Sequence, residues 1–108
     1  MYARVVWGRL RSGTWEEYER YYIERVIPST KDMQGLHERY LLRSTDDPDE
    51  GISLTVWDTL EDIGRYEMSE VRRDLAQNAE QFFQPLAYPT GEYQVNHYQI
   101  ISTDRETR

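Results

Sequence analysis

The chain has 108 residues, with 13 Lys or Arg against 20 Asp or Glu, which gives a net charge of −7 at neutral pH. This length fits one domain with a real hydrophobic core, and a dimer would add to its stability. The acidic balance and the scattered basic residues argue against nucleic-acid binding, because non-specific affinity for phosphate backbones comes from clustered cations.

The chain has no cysteine, which excludes a disulfide, a thiolate nucleophile and a Cys-based metal site. It runs from Met1 into an alternating segment without the basic and apolar regions of a signal peptide. It also has no apolar run as long as a membrane span. We therefore expect a soluble, unprocessed protein of the cytoplasm that does not enter membranes.

The first predicted elements are a strand over residues 2–10 and a helix over residues 15–27. We expect Thr14 to cap the helix, with Glu17 at the spacing of a capping box. Pro28 is predicted to end or kink it. The buried stripe of the helix is predicted from spacings of three and four residues. Its members are Trp15, Tyr18, Tyr22 and Val26.

A second strand is predicted over residues 36–43, after Gly35, with His37 and Arg39 on the same side. A third, central strand covers residues 51–58, where branched and aromatic residues alternate. The charged segment between them, residues 44–50, predicts an exposed hairpin loop. This loop lacks the ligand spacing and central glycine of a calcium-binding loop, so no metal site is predicted there.

Thr59 follows the central strand and is predicted to cap a short helix whose buried face is Leu60, Ile63 and Tyr66. A further helix is predicted to begin near Ser69. Its buried stripe is Val71, Leu75, Ala79 and Phe82. Pro85 and Pro89 close the helical region, and Gly91 opens a last strand over residues 92–101.

The order of elements predicts an α+β, ferredoxin-like βαββαβ sandwich, in which an antiparallel four-stranded sheet carries its helices on one face. We expect one domain over residues 1–102 and a polar tail over residues 103–108. The second face of the sheet is too apolar to face water. Its predicted residues are Ala3, Val5, Trp7, Ser53, Thr55 and Trp57, or else the opposite set. We therefore expect a homodimer packed through this sheet face.

The sequence resembles the antibiotic biosynthesis monooxygenase family of the dimeric α/β barrel superfamily. The resemblance rests on three features: Gly35-Leu36 at the entry of the second strand, the run Leu54-Thr55-Val56-Trp57 followed by a helix over residues 59–69, and a strand after Gly91. It implies a dimer with a pocket between sheet and helices in each subunit. Some members oxygenate phenolic or quinol-like compounds without metal or flavin, and others degrade heme.

The heme-degrading branch of the family has an Asn, a Trp and a His at three functional positions. Aligning that branch on the run that ends at Trp57 places Gly8, Tyr66 and Ala76 at those positions. None of the three residue types is retained, and the His would be the iron ligand. The sequence therefore argues against heme degradation, and we expect no bound cofactor and no metal site.

Cofactor-free oxygenation requires a group that removes a proton from the substrate. The candidates are His97, on the last strand, and His37, because only His has an unperturbed pKa near neutrality. Either could instead be a hydrogen-bonded structural residue. Four aromatic residues are candidates for binding a flat substrate, and all four could simply be core residues. They are Trp57, Tyr22, Tyr66 and Phe82.

Arg39 and Arg43 could hold an oxyanion, although we expect both to face the acidic loop. Asn96 should point away from His97 because the two are adjacent on a strand. The prediction is a cofactor-independent monooxygenase that acts on a small phenolic or quinol-like aromatic compound. The alternatives are a non-catalytic dimer that binds a small molecule and a proton-transfer or isomerase enzyme of the same superfamily.

Overall fold

Four antiparallel strands form one sheet in the computed structural model, which describes residues 1–83 and 93–104. The strands are β1 (Tyr2–Arg9), β2 (Leu36–Arg43), β3 (Glu50–Trp57) and β4 (Tyr93–Gln99). Their spatial order is β2-β3-β1-β4, so β1 and β3 are central. The predicted ferredoxin-like α+β fold is confirmed, including the β2–β3 hairpin.

The helices connect the strands and pack on one face of the sheet. They are α1 (Trp15–Tyr21), a π-helical segment (Tyr22–Val26), α2 (Ile27–Thr30), α3 (Leu60–Glu67), α4 (Glu70–Ala79) and a 3-10 turn (Glu80–Phe82). The four residues of the predicted stripe on the first helix are all buried. None of the helices in the described ranges is long and apolar enough to cross a membrane.

The register of the strands corrects the predicted composition of the two sheet faces. Ala3, Val5 and Trp7 pair with Val56, Leu54 and Ile52, not with residues of the Ser53 set. Because directly paired residues share a face, the second face is lined by both of these apolar groups. Ser53, Thr55 and Trp57 lie on the other face, beneath the helices, where Thr55 and Trp57 are 1% and 0% exposed.

Pro28 was predicted either to end or to kink the first helix. It does not end it, because helical structure continues past Pro28. Proline cannot donate a backbone hydrogen bond, and its ring crowds the carbonyl four residues earlier. A wider, π-helical turn precedes Pro28, and in it the Ile27 N–H donates to the carbonyl of Tyr22, five residues earlier. Helical structure then continues to Thr30, whose hydroxyl donates to the Val26 carbonyl at 2.8 Å.

The three predicted helix starts are confirmed, at Trp15, Leu60 and Glu70, and two of them carry a side-chain cap. The hydroxyl of Thr59 accepts a hydrogen bond from the Asp62 N–H at 3.0 Å, and that of Ser69 accepts one from the Arg72 N–H at 3.1 Å. The predicted capping box at Thr14 is wrong, because this hydroxyl donates back to the Arg11 carbonyl and closes a turn. Leu60 is also not part of a buried face, since it is 51% exposed.

The interior divides into two clusters on the helix side of the sheet. The larger cluster joins the first helix to α4 and the 3-10 turn. Its buried members are Leu10, Trp15, Tyr18, Tyr22, Val26, Leu75 and Phe82. The smaller one comprises Trp57, Ile63 and Tyr66 and seals the other end of the sheet. The predicted features at Pro85, Pro89 and Gly91 lie outside the described residues, as does the tail from residue 105.

Candidate ligand-binding site

A cavity of about 480 Å³ lies between the helix side of the sheet and the helices that cover it. This volume is within the range of about 300–1,000 Å³ that is typical of small-molecule sites. Aromatic side chains form much of its wall. They are Trp15, Tyr18, Tyr21, Tyr22, Tyr66 and Phe83. The wall therefore suits a flat apolar ligand, because aromatic rings stack on one another with favourable energy.

Two glycines make room for this aromatic wall on the sheet. Gly8 on β1 pairs directly with Gly51 on β3, so the sheet carries no side chain at this point. A Cβ at Gly8 would collide with the ring of Phe83, and one at Gly51 would collide with the ring of Trp15. The two rings thus rest directly on the backbone, which is a position that only glycine allows.

The aromatic wall contains one polar cluster. The hydroxyls of Tyr22 and Ser53 share a hydrogen bond of 2.7 Å. Arg39 Nη1 donates to Tyr22 Oη at 3.0 Å and to Ser53 Oγ at 3.3 Å, and its guanidinium lies over the Tyr22 ring. Tyr22 is the first residue of the π-helical segment, and its hydroxyl reaches β2, where it donates to the Tyr40 carbonyl at 3.4 Å. The cluster offers hydroxyl and guanidinium donors to a ligand oxygen.

A second charged group lies beside the cavity, where Glu67 connects Arg4 to His97. Glu67 Oε2 accepts a hydrogen bond of 2.7 Å from Arg4 Nε and lies 2.9 Å from His97 Nε2. Burial alone would raise the pKa of the Glu67 carboxyl, but the hydrogen bonds from Arg4 and His97 outweigh it and lower this pKa. Glu67 is therefore ionised at neutral pH and holds the Arg4 guanidinium in place.

The charged groups are aligned by the register of the sheet. Thr55 pairs with Arg39 on one side and with Arg4 on the other, and Arg4 pairs in turn with His97. The four residues thus form one row across all four strands on the helix side. Neighbouring strands are about 4.8 Å apart, so the Cα atoms of Arg39 and Arg4 are separated by about 10 Å.

Three guanidinium nitrogens of this row are buried and make no hydrogen bond to any of the described residues. They are Arg4 Nη2, Arg39 Nε and Arg39 Nη2. Arg4 is only 5% exposed. A buried donor without a partner costs about 1–3 kcal/mol, and more when it is charged. Folding tolerates this cost at two residues that both line the cavity.

Neither candidate histidine lines the cavity. His97 is 38% exposed and contacts Glu67 at the edge of the sheet, one strand away from Arg4. His37 lies in a β-bulge between Leu36 and Glu38 and pairs with Asp58 at the surface. The bulge breaks the predicted alternation, because it inserts one residue between two paired positions. A catalytic role for either histidine stays a prediction.

The four aromatic candidates are split by the structure. Tyr22 and Tyr66 line the cavity, whereas Trp57 and Phe82 are buried beside it in the two core clusters. Trp57 contacts the cavity-lining ring of Tyr66, with 5.2 Å between ring centroids. Phe82 contacts Tyr18, with 5.6 Å between centroids. The two core residues therefore support rings of the cavity wall, and a substrate-binding role for all four stays a prediction.

The expectations for the two arginines on β2 have opposite outcomes. Arg43 does face the charged loop, where its Nε donates to the Pro48 carbonyl. Arg39 does not, because its guanidinium bonds to Tyr22 and Ser53 in the cavity wall. Asn96 pairs with Val5 while His97 pairs with Arg4, so the two point to opposite faces as predicted.

Sequence reasoning missed Arg4, Ser53 and Glu67 as possible functional residues. A signal for Arg4 was present, since it interrupts the apolar run of the first strand. Ser53 and Glu67 gave no comparable signal, because a serine on a strand and a glutamate on a helix are common surface residues. Gly8, Tyr66 and Ala76, which were aligned with functional positions of the heme-degrading branch, all line the cavity.

No group of three or more His, Asp or Glu side chains is placed to hold a metal ion within residues 1–83 and 93–104.

Burial raises the pKa of the Tyr21 hydroxyl, which donates to the Leu75 carbonyl at 2.8 Å. This hydroxyl thus stays neutral and fixes one aromatic ring of the cavity wall against α4.

The fold and the cavity define a ferredoxin-like α+β protein with a cavity between its sheet and its helices. The model of the antibiotic biosynthesis monooxygenase family matches residues 1–78, which carry β1 to β3 and most of the cavity wall. The chain belongs to this family. No curated protein matches its sequence.

Solved structures of distant sequence share the fold. SnoaB from Streptomyces nogalater, a cofactor-independent oxygenase, is 14% identical and superposes with a TM-score of 0.78 over 95% of each chain. A conserved protein from Methanosarcina mazei is also 14% identical, with a TM-score of 0.74 over 92% of each chain. At these identities the likeness establishes the fold and not the reaction.

Proposed function

We propose that this protein is a cofactor-independent monooxygenase that binds a small phenolic or quinol-like aromatic compound in the cavity between sheet and helices. The observation that carries the proposal is the cavity itself, whose aromatic wall surrounds one polar cluster of Tyr22, Ser53 and Arg39. Membership of the monooxygenase family and the fold shared with an oxygenase support it.

The proposed reaction balances without an external reductant. A phenol loses its hydroxyl proton and a ring hydrogen, and O2 supplies one oxygen atom to the ring and one to water. The products are a quinone and water. The protein has to hold the ring, favour its deprotonated form and bring O2 close to the ring carbon.

Arg39 supplies the electrostatic part of this proposal. A guanidinium is charged at every physiological pH, and an opposite charge within about 4–6 Å favours the ionised form of a phenol. Tyr22 and Ser53 present hydroxyls at the same place and can orient the phenol oxygen. Tyr66 and Tyr22 contribute ring faces for stacking, while Trp57 and Phe82 hold the wall in position from behind.

His97 is the proposed proton acceptor, with His37 as the second candidate. His97 is on the helix side of the sheet, paired with the cavity residue Arg4, whereas His37 is at a bulge near the surface. His97 is also open to solvent, so it can pass a proton to water. This arrangement favours His97 over His37.

The test is oxygen uptake by purified protein against a panel of hydroquinones and polycyclic phenols, with a count of O2 consumed per quinone formed. We expect O2 uptake above the autoxidation rate, with one O2 consumed and no H2O2 released per quinone, because simple oxidation of a hydroquinone also consumes one O2 but releases H2O2. It should fall by about 10²-fold or more in His97→Gln, because a general base contributes about 10²–10⁴-fold, and not in His37→Gln. If both variants consumed O2 at the rate of the unsubstituted protein, neither histidine would take part in the mechanism.

The two alternatives are separated by the same assay. Ligand binding without oxygen uptake would identify a non-catalytic binding protein. Turnover of the phenol to an isomer without oxygen uptake would identify a proton-transfer enzyme. Both alternatives use the same cavity, so the consumption of O2 is the result that distinguishes the oxygenase from them.

We also propose that the protein is a homodimer through the second face of the sheet. This face carries apolar side chains on neighbouring strands, and three of them are clearly exposed: Tyr40 at 44%, Leu42 at 45% and Tyr98 at 56%. An apolar face of this extent marks an interaction surface. A second copy would cover it with an identical apolar face.

A further inference from the structure

We infer that the ligand of this cavity carries an anionic oxygen group, which Arg39 and Arg4 recognise, on a planar aromatic body. This inference rests on the proposed function, because it defines the substrate class of the same site. It also stands on observations that do not depend on oxygenase chemistry, namely the partners of the two arginines and the charge of the cavity wall.

The first observation concerns the partners of Arg39. Its side chain donates hydrogen bonds to the neutral hydroxyls of Tyr22 and Ser53, and it also interacts with the neutral hydroxyl of Tyr66. Among residues 1–83 and 93–104, no carboxylate forms an ion pair with it, and its Nε and Nη2 make no hydrogen bond. A buried charge is normally paired. An anion would replace weak neutral contacts with charge-assisted hydrogen bonds, which are about twice as strong.

The second observation is the charge of the wall. Four arginines line the cavity, Arg4, Arg11, Arg39 and Arg72, against one carboxylate, Glu80. Glu67 offsets the charge of Arg4, and Arg11 and Glu80 are exposed, so the charge of Arg39 is the one in the wall that no carboxylate of the described residues offsets, although the whole chain has a net charge of −7. Surplus positive charge at one interior position of an acidic protein is what an anionic ligand needs, both for attraction and for specificity.

The third observation is the position of Arg4. It lies in the same cross-strand row as Arg39, on the other side of Thr55, and it also lines the cavity. Glu67 bonds to its Nε and leaves Nη2 without a partner among the described residues. Glu67 thus holds the Arg4 guanidinium at its Nε edge. The two arginines can therefore approach one anionic group from two sides, and no carboxylate of the described residues pairs with Arg39.

The anionic group could be a carboxylate substituent or the phenolate of the ring itself. Three probes of one ring size distinguish these sources by isothermal titration: 2-naphthoate, its neutral isostere 2-naphthamide, and 2-naphthol. The spectrum of bound 2-naphthol reports whether its hydroxyl is ionised. The variants are Arg39→Met, which keeps the apolar stem, and the control Arg43→Met. Arg43 is on the same strand, donates to the Pro48 carbonyl and does not line the cavity; its guanidinium lies over the Trp15 ring, a contact that the methionine side chain can keep.

We expect 2-naphthoate to bind at least about tenfold more tightly than 2-naphthamide, or 2-naphthol to bind as the phenolate below its solution pKa. The first result identifies a carboxylate and the second a phenolate. Either preference should disappear in Arg39→Met, with 2-naphthamide binding unchanged, and should persist in Arg43→Met. Unchanged thermal midpoints would show that both variants fold.

Equal affinity for 2-naphthoate and 2-naphthamide together with neutral bound naphthol would overturn the inference, as would a preference that survives Arg39→Met. Oxygen uptake on neutral phenols without any anion preference would sink the inference and leave the oxygenase proposal intact. Arginine-dependent anion binding without oxygen uptake on any phenol would do the reverse.

Discussion

Trp57 shows at the scale of one residue how closely the sheet and α3 are packed. Its side chain is 0% exposed, and its Nε1 donates to Thr55 Oγ1 at 2.8 Å. Truncation of a large buried aromatic residue costs about 3–5 kcal/mol, so Trp57→Ala should lower the free energy of unfolding by that amount. Met68→Ala removes a side chain that is 82% exposed outside the sheet and serves as the control.

Denaturant titration of both variants measures the two losses. Met68→Ala should cost less than about 1 kcal/mol, in line with most surface substitutions. A loss below about 1 kcal/mol for Trp57→Ala would mean that its ring is not in the core, and would contradict the packing of β3 against α3.

Glu67 gives a pH-dependent prediction, also for one residue. Its pKa is lower in the folded protein because the hydrogen bonds from Arg4 and His97 outweigh the effect of burial. A lowered folded pKa means that the ionised carboxyl stabilises the fold above the ordinary glutamate pKa, and that this contribution is lost as the pH falls through the folded value. Acidification should therefore remove the contribution of the Glu67 carboxylate to the free energy of unfolding.

Glu67→Gln tests this directly by urea titration at several pH values. At pH 7 we expect a loss of about 1–2 kcal/mol, less than for a fully buried pair, because the Glu67 side chain is 27% exposed and water screens the interaction. The difference from the unsubstituted protein should shrink between about pH 5 and pH 2. A difference that stays constant over this interval would show that the charge of Glu67 is not responsible.

At the scale of elements, the turn into β2 depends on Gly35. Its φ is +84°, and a Cβ there would collide with the carboxylate of Asp62 at the start of α3. Gly13 has a similar φ of +77° but open space around it. Substitution of Gly13 therefore tests the backbone strain alone, whereas substitution of Gly35 tests the strain together with the steric collision.

Alanine at each position provides the comparison. Gly13→Ala should cost about 1–2 kcal/mol, which is the price of a left-handed conformation. Gly35→Ala should cost clearly more, because the added methyl group also displaces Asp62 from its bonds to Thr59 and Arg65. Equal losses in thermal or urea unfolding would mean that Asp62 moves away without consequence.

Most elements of this fold could be predicted from the sequence, because periodicity reports which side of a strand or helix is buried. The exact limits of β2 and the caps at Thr59 and Ser69 follow from such local signals. The π-helical segment before Pro28 and the bulge at His37 do not. Each depends on a partner that is distant in the sequence, or on a local adjustment with several possible outcomes.

At the scale of the whole molecule, register was the missing information. The alternation of β1 and β3 was predicted correctly, but which sets share a face depends on how the two strands pair. The same uncertainty hid the site, since Arg39, Thr55, Arg4 and His97 become one row only through pairing. The sequence could indicate the fold, an aromatic pocket and Arg39 as a possible partner of an oxyanion, but not Arg4 or the row that brings the two arginines to one cavity.

The proposed dimer predicts how the whole molecule responds to a charge on the second sheet face. Leu42→Glu places a carboxylate on that face, where Leu42 is 45% exposed. We expect light scattering to give twice the chain mass for the unsubstituted protein and the chain mass for this variant, because burying an unpaired charge is costly. Met68→Glu, at a position 82% exposed outside the sheet, is the control and should stay dimeric.

A monomeric unsubstituted protein would contradict the dimer, and so would a Leu42→Glu variant that remains a dimer at micromolar concentration. Dissociation of both variants would show that added charge alone, and not the sheet face, breaks the assembly.

The central claim is that the cavity between sheet and helices is where an aromatic compound is bound and oxidised. Ala76→Phe on α4 tests it most directly, because Ala76 lines the cavity and a phenyl ring there would fill it. Gln77→Phe places the same ring on the neighbouring exposed position and is the matched control. The measurement is oxygen uptake with the best phenol of the panel, for variants with equal thermal midpoints. We predict that Ala76→Phe loses uptake and Gln77→Phe keeps it, whereas undiminished uptake in Ala76→Phe would place the reaction elsewhere.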